Sequence, residues 1–247
     1  MKRKPATDLS DTLRKLSLTT MVEHYESLGK EAARDQWHHV EYLSRLANIE
    51  ISARYERSVE RRIKRAGLPL LKSLDQFRWS WPKKINRAQI QDVFRLQFIE
   101  QNVNVVFMGG VGLGKTHLAI ALAHTACLND IPVLFTSAVD IVNTLSAASA
   151  VHNLSKVLKR YLTPRLLVID ELGYLPMDKR GADLLFQVIS ARYERGSIAI
   201  TTNTAYNQWP RIFNNDSTIT SAVLDRLLHH CETSTIEGKS FRMKDNS

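Results

Sequence analysis

The chain has 247 residues, 44% of them hydrophobic, enough for one large α/β domain plus a small accessory domain and too apolar for wholesale disorder. It holds no run of about eighteen apolar residues, no apolar stretch follows Met1-Lys2-Arg3-Lys4-Pro5, and Cys127 and Cys231 have no ligand or redox spacing, so a cytoplasmic protein without membrane span or secretory signal is expected. The net charge of +9 is uneven: residues 1–100 carry 20 Lys/Arg against 13 Asp/Glu (+7) and the rest 14 against 12 (+2), which points to a polyanionic partner, most simply nucleic acid.

Helices are expected first. Leu13, Leu16, Met21, Tyr25 and Leu28 form a broken helical pattern behind Asp8 or Ser10, either of which can cap it. A longer helix is expected over 37–66, with an apolar stripe of Val40, Leu43, Ala47, Ile51, Tyr55, Val59 and Ile63. Gly67 and Pro69 end it in the usual order. On this helix Arg54, Arg57, Arg61 and Arg65 recur at steps of three and four, a ridge able to follow a phosphate backbone. The i,i+4 pairs Glu41/Arg45, Glu50/Arg54 and Glu60/Lys64 occupy only part of the basic charge.

Residues 70–88, with Phe77, Trp79 and Trp81, have the character of a linker anchored on the next domain, so the expected boundary lies at 85/86. A helix from about Gln89 leads to an alternation of apolar strands (103–108, 131–136, 165–170, 197–202) and helical stretches (115–128, 140–162, 178–195). Such alternation argues for a parallel sheet covered on both faces.

Gly109-Gly110-Val111-Gly112-Leu113-Gly114-Lys115-Thr116 satisfies G-x-x-x-x-G-K-[ST] between a strand and a helix. Glycines let backbone N–H groups turn in around phosphates, and the helix N-terminus adds a favourable dipole. The segment 109–117, ending at His117, is therefore the expected ATP cradle, with Lys115 on the β- and γ-phosphates and the Thr116 hydroxyl on Mg²⁺. About fifty residues on, the apolar strand Leu166-Leu167-Val168-Ile169 delivers Asp170 and Glu171, the first expected on Mg²⁺ and the second as the base that polarises water. Asn203, after a third strand, reaches the γ-phosphate or that water if its strand lies between the other two. Positive charge supplied in trans is expected from Arg226, with Arg192 and Arg195 as alternatives. The pairs His38/His39 and His229/His230 show no metal spacing.

Several blocks, Gly-Lys-Thr-His-Leu-Ala (114–119), Ile-Asp-Glu-Leu-Gly-Tyr-Leu-Pro (169–176), Leu-Asp-Arg-Leu-Leu-His-His (224–230) and Ile-Glu-Gly-Lys-Ser-Phe-Arg (236–242), resemble the IstB proteins. These are AAA+ helper ATPases of bacterial insertion sequences, related to DnaC-type helicase loaders. The resemblance implies a five-stranded parallel sheet flanked by helices (86–247), preceded by a small all-α basic domain (1–85). It also implies ATP-dependent assembly of a homo-oligomer on double-stranded DNA and stimulation of a cognate transposase. The alternative it leaves is a helicase loader acting on a replicative helicase and single-stranded DNA. By the same resemblance Arg226 ranks first as the trans arginine. The resemblance also implies that the 140–162 segment lines the DNA path, with Lys156, Lys159 and Arg160 as candidate contacts. Ser-Phe-Arg stands where Ser-Tyr-Arg is usual, which leaves a nucleotide role for Arg242 open.

Overall fold

A computed structural model describes residues 8–241. Arg242 lies outside the described residues. The chain divides into two compact units between Arg61 and Arg62, inside a helix rather than at 85/86.

The first unit holds α1 (Leu9–Lys15), α2 (Thr19–Arg34) and most of α3 (His39–Ala66). Asp8 caps α1 by accepting from the Ser10 amide at 3.4 Å, but α2 has no side-chain cap of its own. The Glu50 carboxylate of α3 fills that need. Its Oε2 accepts the Thr20 and Met21 amides at 2.8 and 3.0 Å, and its Oε1 takes Arg54 Nε at 2.8 Å and Arg57 Nη2 at 3.3 Å. Burial pushes the Glu50 carboxyl up, yet its hydrogen bonds to Arg54 and the two amides outweigh that, and its pKa lies below the usual range. This network faces the Leu46/Glu50 side of α3 inward and leaves the first part of the expected stripe outside, while Val59 is buried and Ile63 packs against the core. Val40, Leu43, Ile51 and Tyr55 are exposed, whereas Leu46 and Glu50 are buried. The expected stripe is therefore buried only toward its C-terminal end, and along the first half of α3 the buried Glu50 carboxylate, paired with half-exposed Arg54 and Arg57, takes the inner position.

The second unit begins with the last turns of α3. There Arg62 donates to the Cys127 carbonyl at 2.8 Å and pairs with Asp130 at 2.6 Å. Gly67 (φ +70°) ends the helix. The 70–85 segment belongs to this unit because Phe77 is buried in its core and Trp79 and Ile85 pack beside it. α4 (Arg87–Val93) and α5 (Gln97–Glu100) are split at Leu96, whose φ is +65°.

Five strands follow: β1 (Asn104–Gly109), β2 (Val133–Ser137), β3 (Leu166–Leu172), β4 (Ser197–Thr202) and β5 (Cys231–Ile236). They form one parallel sheet in the order β2-β3-β4-β1-β5. The sheet is covered on both faces, since Val105 and Phe107 enter one apolar cluster and Val106 the other. The helices between strands are α6 (Lys115–Leu128), α7 (Ala138–Ala150), α8 (Leu154–Leu162), α9 (Lys179–Arg192) and α10 (Ser217–Leu228). Ser137, Asp178 and Asp216 cap α7, α9 and α10. The expected single 140–162 helix is therefore two, interrupted at 151–153 where His152 takes φ +53°. Among the described residues no helix is long and apolar enough to cross a membrane.

Candidate nucleotide site

The loop after β1 bends through Gly112 (φ +73°) and Gly114 (φ +87°). Other residues meet a steric penalty there. It is also closely walled. A Cβ on Gly114 would lie 2.6 Å from the Phe77 ring, and one on Gly112 2.2 Å from Ser240 Oγ. Lys115 Nζ donates to the Gly110 carbonyl at 2.6 Å.

The strand order places β4 between β1 and β3, so the phosphate loop, the Asp170-Glu171 pair and Asn203 all leave the carboxyl edge of one sheet. Thr116 Oγ1 donates to Asp170 Oδ1 at 3.0 Å, joining the loop helix to the carboxylate strand. Thr201 is a residue that sequence reasoning missed. Its hydroxyl donates to the same Asp170 oxygen and accepts the Glu171 amide at 2.9 Å. That second bond sits where the β3–β4 register shifts, between Ile169 and Leu172. Glu171 there has φ +59° and is exposed. An irregularity of this kind re-aims one side chain out of an otherwise regular strand, here the carboxylate beside the buried Asp170. The only local signal was the pair of hydroxyl residues, Thr201-Thr202, that closes the apolar run of this strand. Asn203 is exposed, and its Oδ1 accepts the Thr204 hydroxyl at 3.0 Å.

A cavity of about 490 Å³ opens beside the loop, lined by 112–117 on one side and by Phe77, Arg78, Trp81 and Phe241 on the other. The second wall is tied together: Trp81 Nε1 donates to the Lys239 carbonyl at 3.0 Å, Phe241 donates its amide to Gly112 O at 3.0 Å, and the Trp81 and Phe241 rings meet edge-on at 5.0 Å. His117 is partly committed, with Nε2 3.0 Å from the Ser73 carbonyl. The residues present fit a magnesium nucleotide. Thr116 and Asp170 offer adjacent oxygen ligands of the kind magnesium prefers, and two left-handed glycines expose backbone N–H groups to phosphate.

The three arginines proposed for trans action are placed very differently. Arg192 is buried and gives its guanidinium to four carbonyls, those of Tyr161 (2.8 Å), Pro164 (2.8 Å), Arg165 (3.0 Å) and Ser197 (2.8 Å). Burial lowers its pKa to about 10. It joins the end of α8 to the starts of β3 and β4, and it has no exposed donor face to offer another chain. It is withdrawn as a candidate. Replacing it with Met is expected to destabilise the protein by about 3 kcal/mol, because buried carbonyls lose their donor. Urea unfolding measures this, and a loss below about 1 kcal/mol would contradict the role. Arg195 is exposed. Arg226 is half-buried on α10, donating to the Ala222 carbonyl at 3.0 Å with its guanidinium 5.1 Å from the Phe186 ring.

The proposed DNA contacts divide as well. Arg54 and Arg57 serve the Glu50 network, and Arg57 also donates to Thr20 Oγ1 at 3.0 Å. Arg61, Arg65, Lys156, Lys159 and Arg160 are exposed. The histidines differ from expectation, too. Glu194, His229 and His230 bring one ligand atom each to within 4.8 Å of one another.

The sequence profile of the IstB-like ATP binding proteins matches residues 11–247. The chain is 37% identical to the protein ascribed ATP binding in insertion sequence IS21 of Pseudomonas aeruginosa, over 96% of this chain and 89% of that one. It is 36% identical to the corresponding protein of IS232 from Bacillus thuringiensis subsp. berliner, over 96% and 95%. Among solved structures it resembles the DnaC helicase loader (TM-score 0.53, 22% identity, 67% of this chain and 96% of that one). It also resembles the replication initiator DnaA bound to AMPPCP and single-stranded DNA (0.58, 18%, 70% and 52%). These likenesses show the AAA+ fold.

Proposed function

The chain belongs to the IstB-like ATP-binding family, and on that premise we propose that it is a magnesium-dependent ATPase that assembles on duplex DNA and serves the transposase of its insertion sequence. The observation that carries the ATPase reading is the Thr116–Asp170 hydrogen bond, which unites the phosphate loop and the acidic strand in one site. Lys115 neutralises the β- and γ-phosphates. Thr116 and Asp170 hold Mg²⁺, which supplies charge neutralisation at the phosphate oxygens. Glu171 accepts the proton of the attacking water, and Asn203 orients that water or the γ-phosphate through its amide. Arg226 from a neighbouring copy meets the charge that develops on transfer.

DNA is held chiefly through phosphates by Arg61, Arg65, Lys156, Lys159 and Arg160, with little base readout. Support for this comes from their exposure and from the basic excess of the first hundred residues. The insertion-sequence setting of the relatives supports a transposase as partner over a helicase. The likeness to DnaC concerns fold alone.

The test is the ATPase rate with and without duplex DNA, together with capture on immobilised transposase and on replicative helicase. Duplex DNA is expected to raise turnover, and transposase to be the protein captured. Charge reversal at Arg61 and Arg65 is expected to weaken duplex binding and to flatten its dependence on log salt by roughly one unit for each arginine reversed. Unchanged affinity and slope would return both residues to plain surface charge. Retention by helicase alone would favour the loader reading.

A further inference from the structure

The turns that lead into β4, β1 and β5 lie at the amino ends of three neighbouring strands, the sheet edge opposite the phosphate loop. Glu194 stands three residues before β4, and His229 and His230 stand between α10 and β5. Because β1 runs between β4 and β5, its entry lies between the two ligand-bearing segments and holds each of them. Asn102 Nδ2 donates to the Glu194 carbonyl at 3.1 Å, and the Asn104 amide donates to the His230 carbonyl at 2.8 Å. The buried Asn104 side chain makes two more ties, donating to Leu227 O at 3.0 Å and accepting the Ile198 amide at 2.9 Å.

We propose that Glu194, His229 and His230 form a site for a divalent transition metal of the zinc class. Their ligand atoms lie within 4.8 Å of one another and their side chains are exposed. A four-coordinate zinc with bonds of about 2.0–2.2 Å sets its ligands roughly 3.3–3.5 Å apart. Rotation of exposed side chains closes that gap with the backbone fixed. Adjacent histidines on a helix diverge, but these two stand where α10 has ended, and their ring centroids are 4.1 Å apart. His229 also has the outer partner that metal-bound imidazoles keep: Tyr193 Oη lies 2.8 Å from its Nδ1, which leaves the other ring nitrogen for the ion.

Two imidazoles and one carboxylate select zinc, cobalt or nickel over magnesium, whose preferred ligands are oxygens. The site is therefore chemically distinct from the Thr116/Asp170 pair and does not rest on the ATPase reading. Three protein ligands leave a fourth position for water. Once filled, the site ties the turn after α9 to the end of α10, about one helical turn beyond Arg226.

The experiment titrates Zn²⁺ calorimetrically, and Co²⁺ by its visible absorption, into chelator-treated full-length protein in excess Mg²⁺. One equivalent per chain is expected. His230→Ala and Glu194→Gln should each weaken it at least tenfold, and Tyr193→Phe by about tenfold through its outer contact. Zn²⁺ should raise the Tm of the parent protein and leave that of His230→Ala unchanged. Absence of a stoichiometric binding step overturns the proposal. So does affinity equal to that of the parent protein in Glu194→Gln and Tyr193→Phe, conservative changes that keep side-chain size.

Discussion

Glu171→Gln is expected to keep nucleotide and magnesium binding within a few-fold while ATP turnover falls by about 10²–10⁴. The substitution preserves side-chain size and one acceptor oxygen but removes the charge and the ability to take a proton. Asp170 keeps its bonds from Thr116 and Thr201, and the Glu171 amide keeps its bond to the Thr201 hydroxyl whatever side chain it carries. The backbone at φ +59° that aims residue 171 is likewise retained. Phosphate release under saturating ATP gives kcat, and a fluorescent nucleotide gives Kd. Turnover at the parental rate in a variant that binds ATP normally would remove Glu171 as the base. The matching control is Lys115→Ala, which removes the proposed phosphate-binding charge and should lose nucleotide binding.

Arg226→Ala is expected to lower kcat by about 10³ or more, the scale on which a trans arginine contributes to phosphoryl transfer. Its own copy should still bind nucleotide. Arg226 is the better candidate because its present contacts are weak and local, a carbonyl on its own helix and a neighbouring aromatic ring, so it can be redirected without breaking a core. Arg192 is committed to four buried carbonyls. Mixing distinguishes trans from cis action. Arg226→Ala has an intact phosphate loop, and Lys115→Ala has an intact arginine, so a mixture should recover activity that neither shows alone. Failure to recover, with both variants still co-assembling on duplex DNA, would place the arginine's action within its own subunit. Arg195→Ala is the comparison that should remain near the parental rate.

The two arginines show where sequence reasoning stops. Arg192 and Arg195 flank the same Tyr-Glu turn, and no property of that turn distinguishes a buried structural cation from an exposed one. The difference arises because the end of α8 and the starts of β3 and β4 converge on Arg192 from about thirty residues away on one side and five on the other. The same holds on α3. The pattern from Val40 to Tyr55 marked a real face, but Glu50 captured the α2 amides and turned the helix so that this face lies outside.

What the sequence determined by itself is the phosphate loop, the acidic strand end and the α/β order. The first two are requirements met within a few consecutive residues (glycines where φ must be positive, a lysine and a hydroxyl at the first helical turn, an apolar run ending in carboxylates), and the third is a succession of such local patterns. Only the tertiary structure decided that Thr201 would hold Asp170 and Glu171 together. It alone made Arg192 part of the core and brought Glu194 to His229 and His230. Those outcomes depend on which strand lies next to which, and hydrogen-bond partners about thirty positions apart, as most of these are, leave no mark on local spacing.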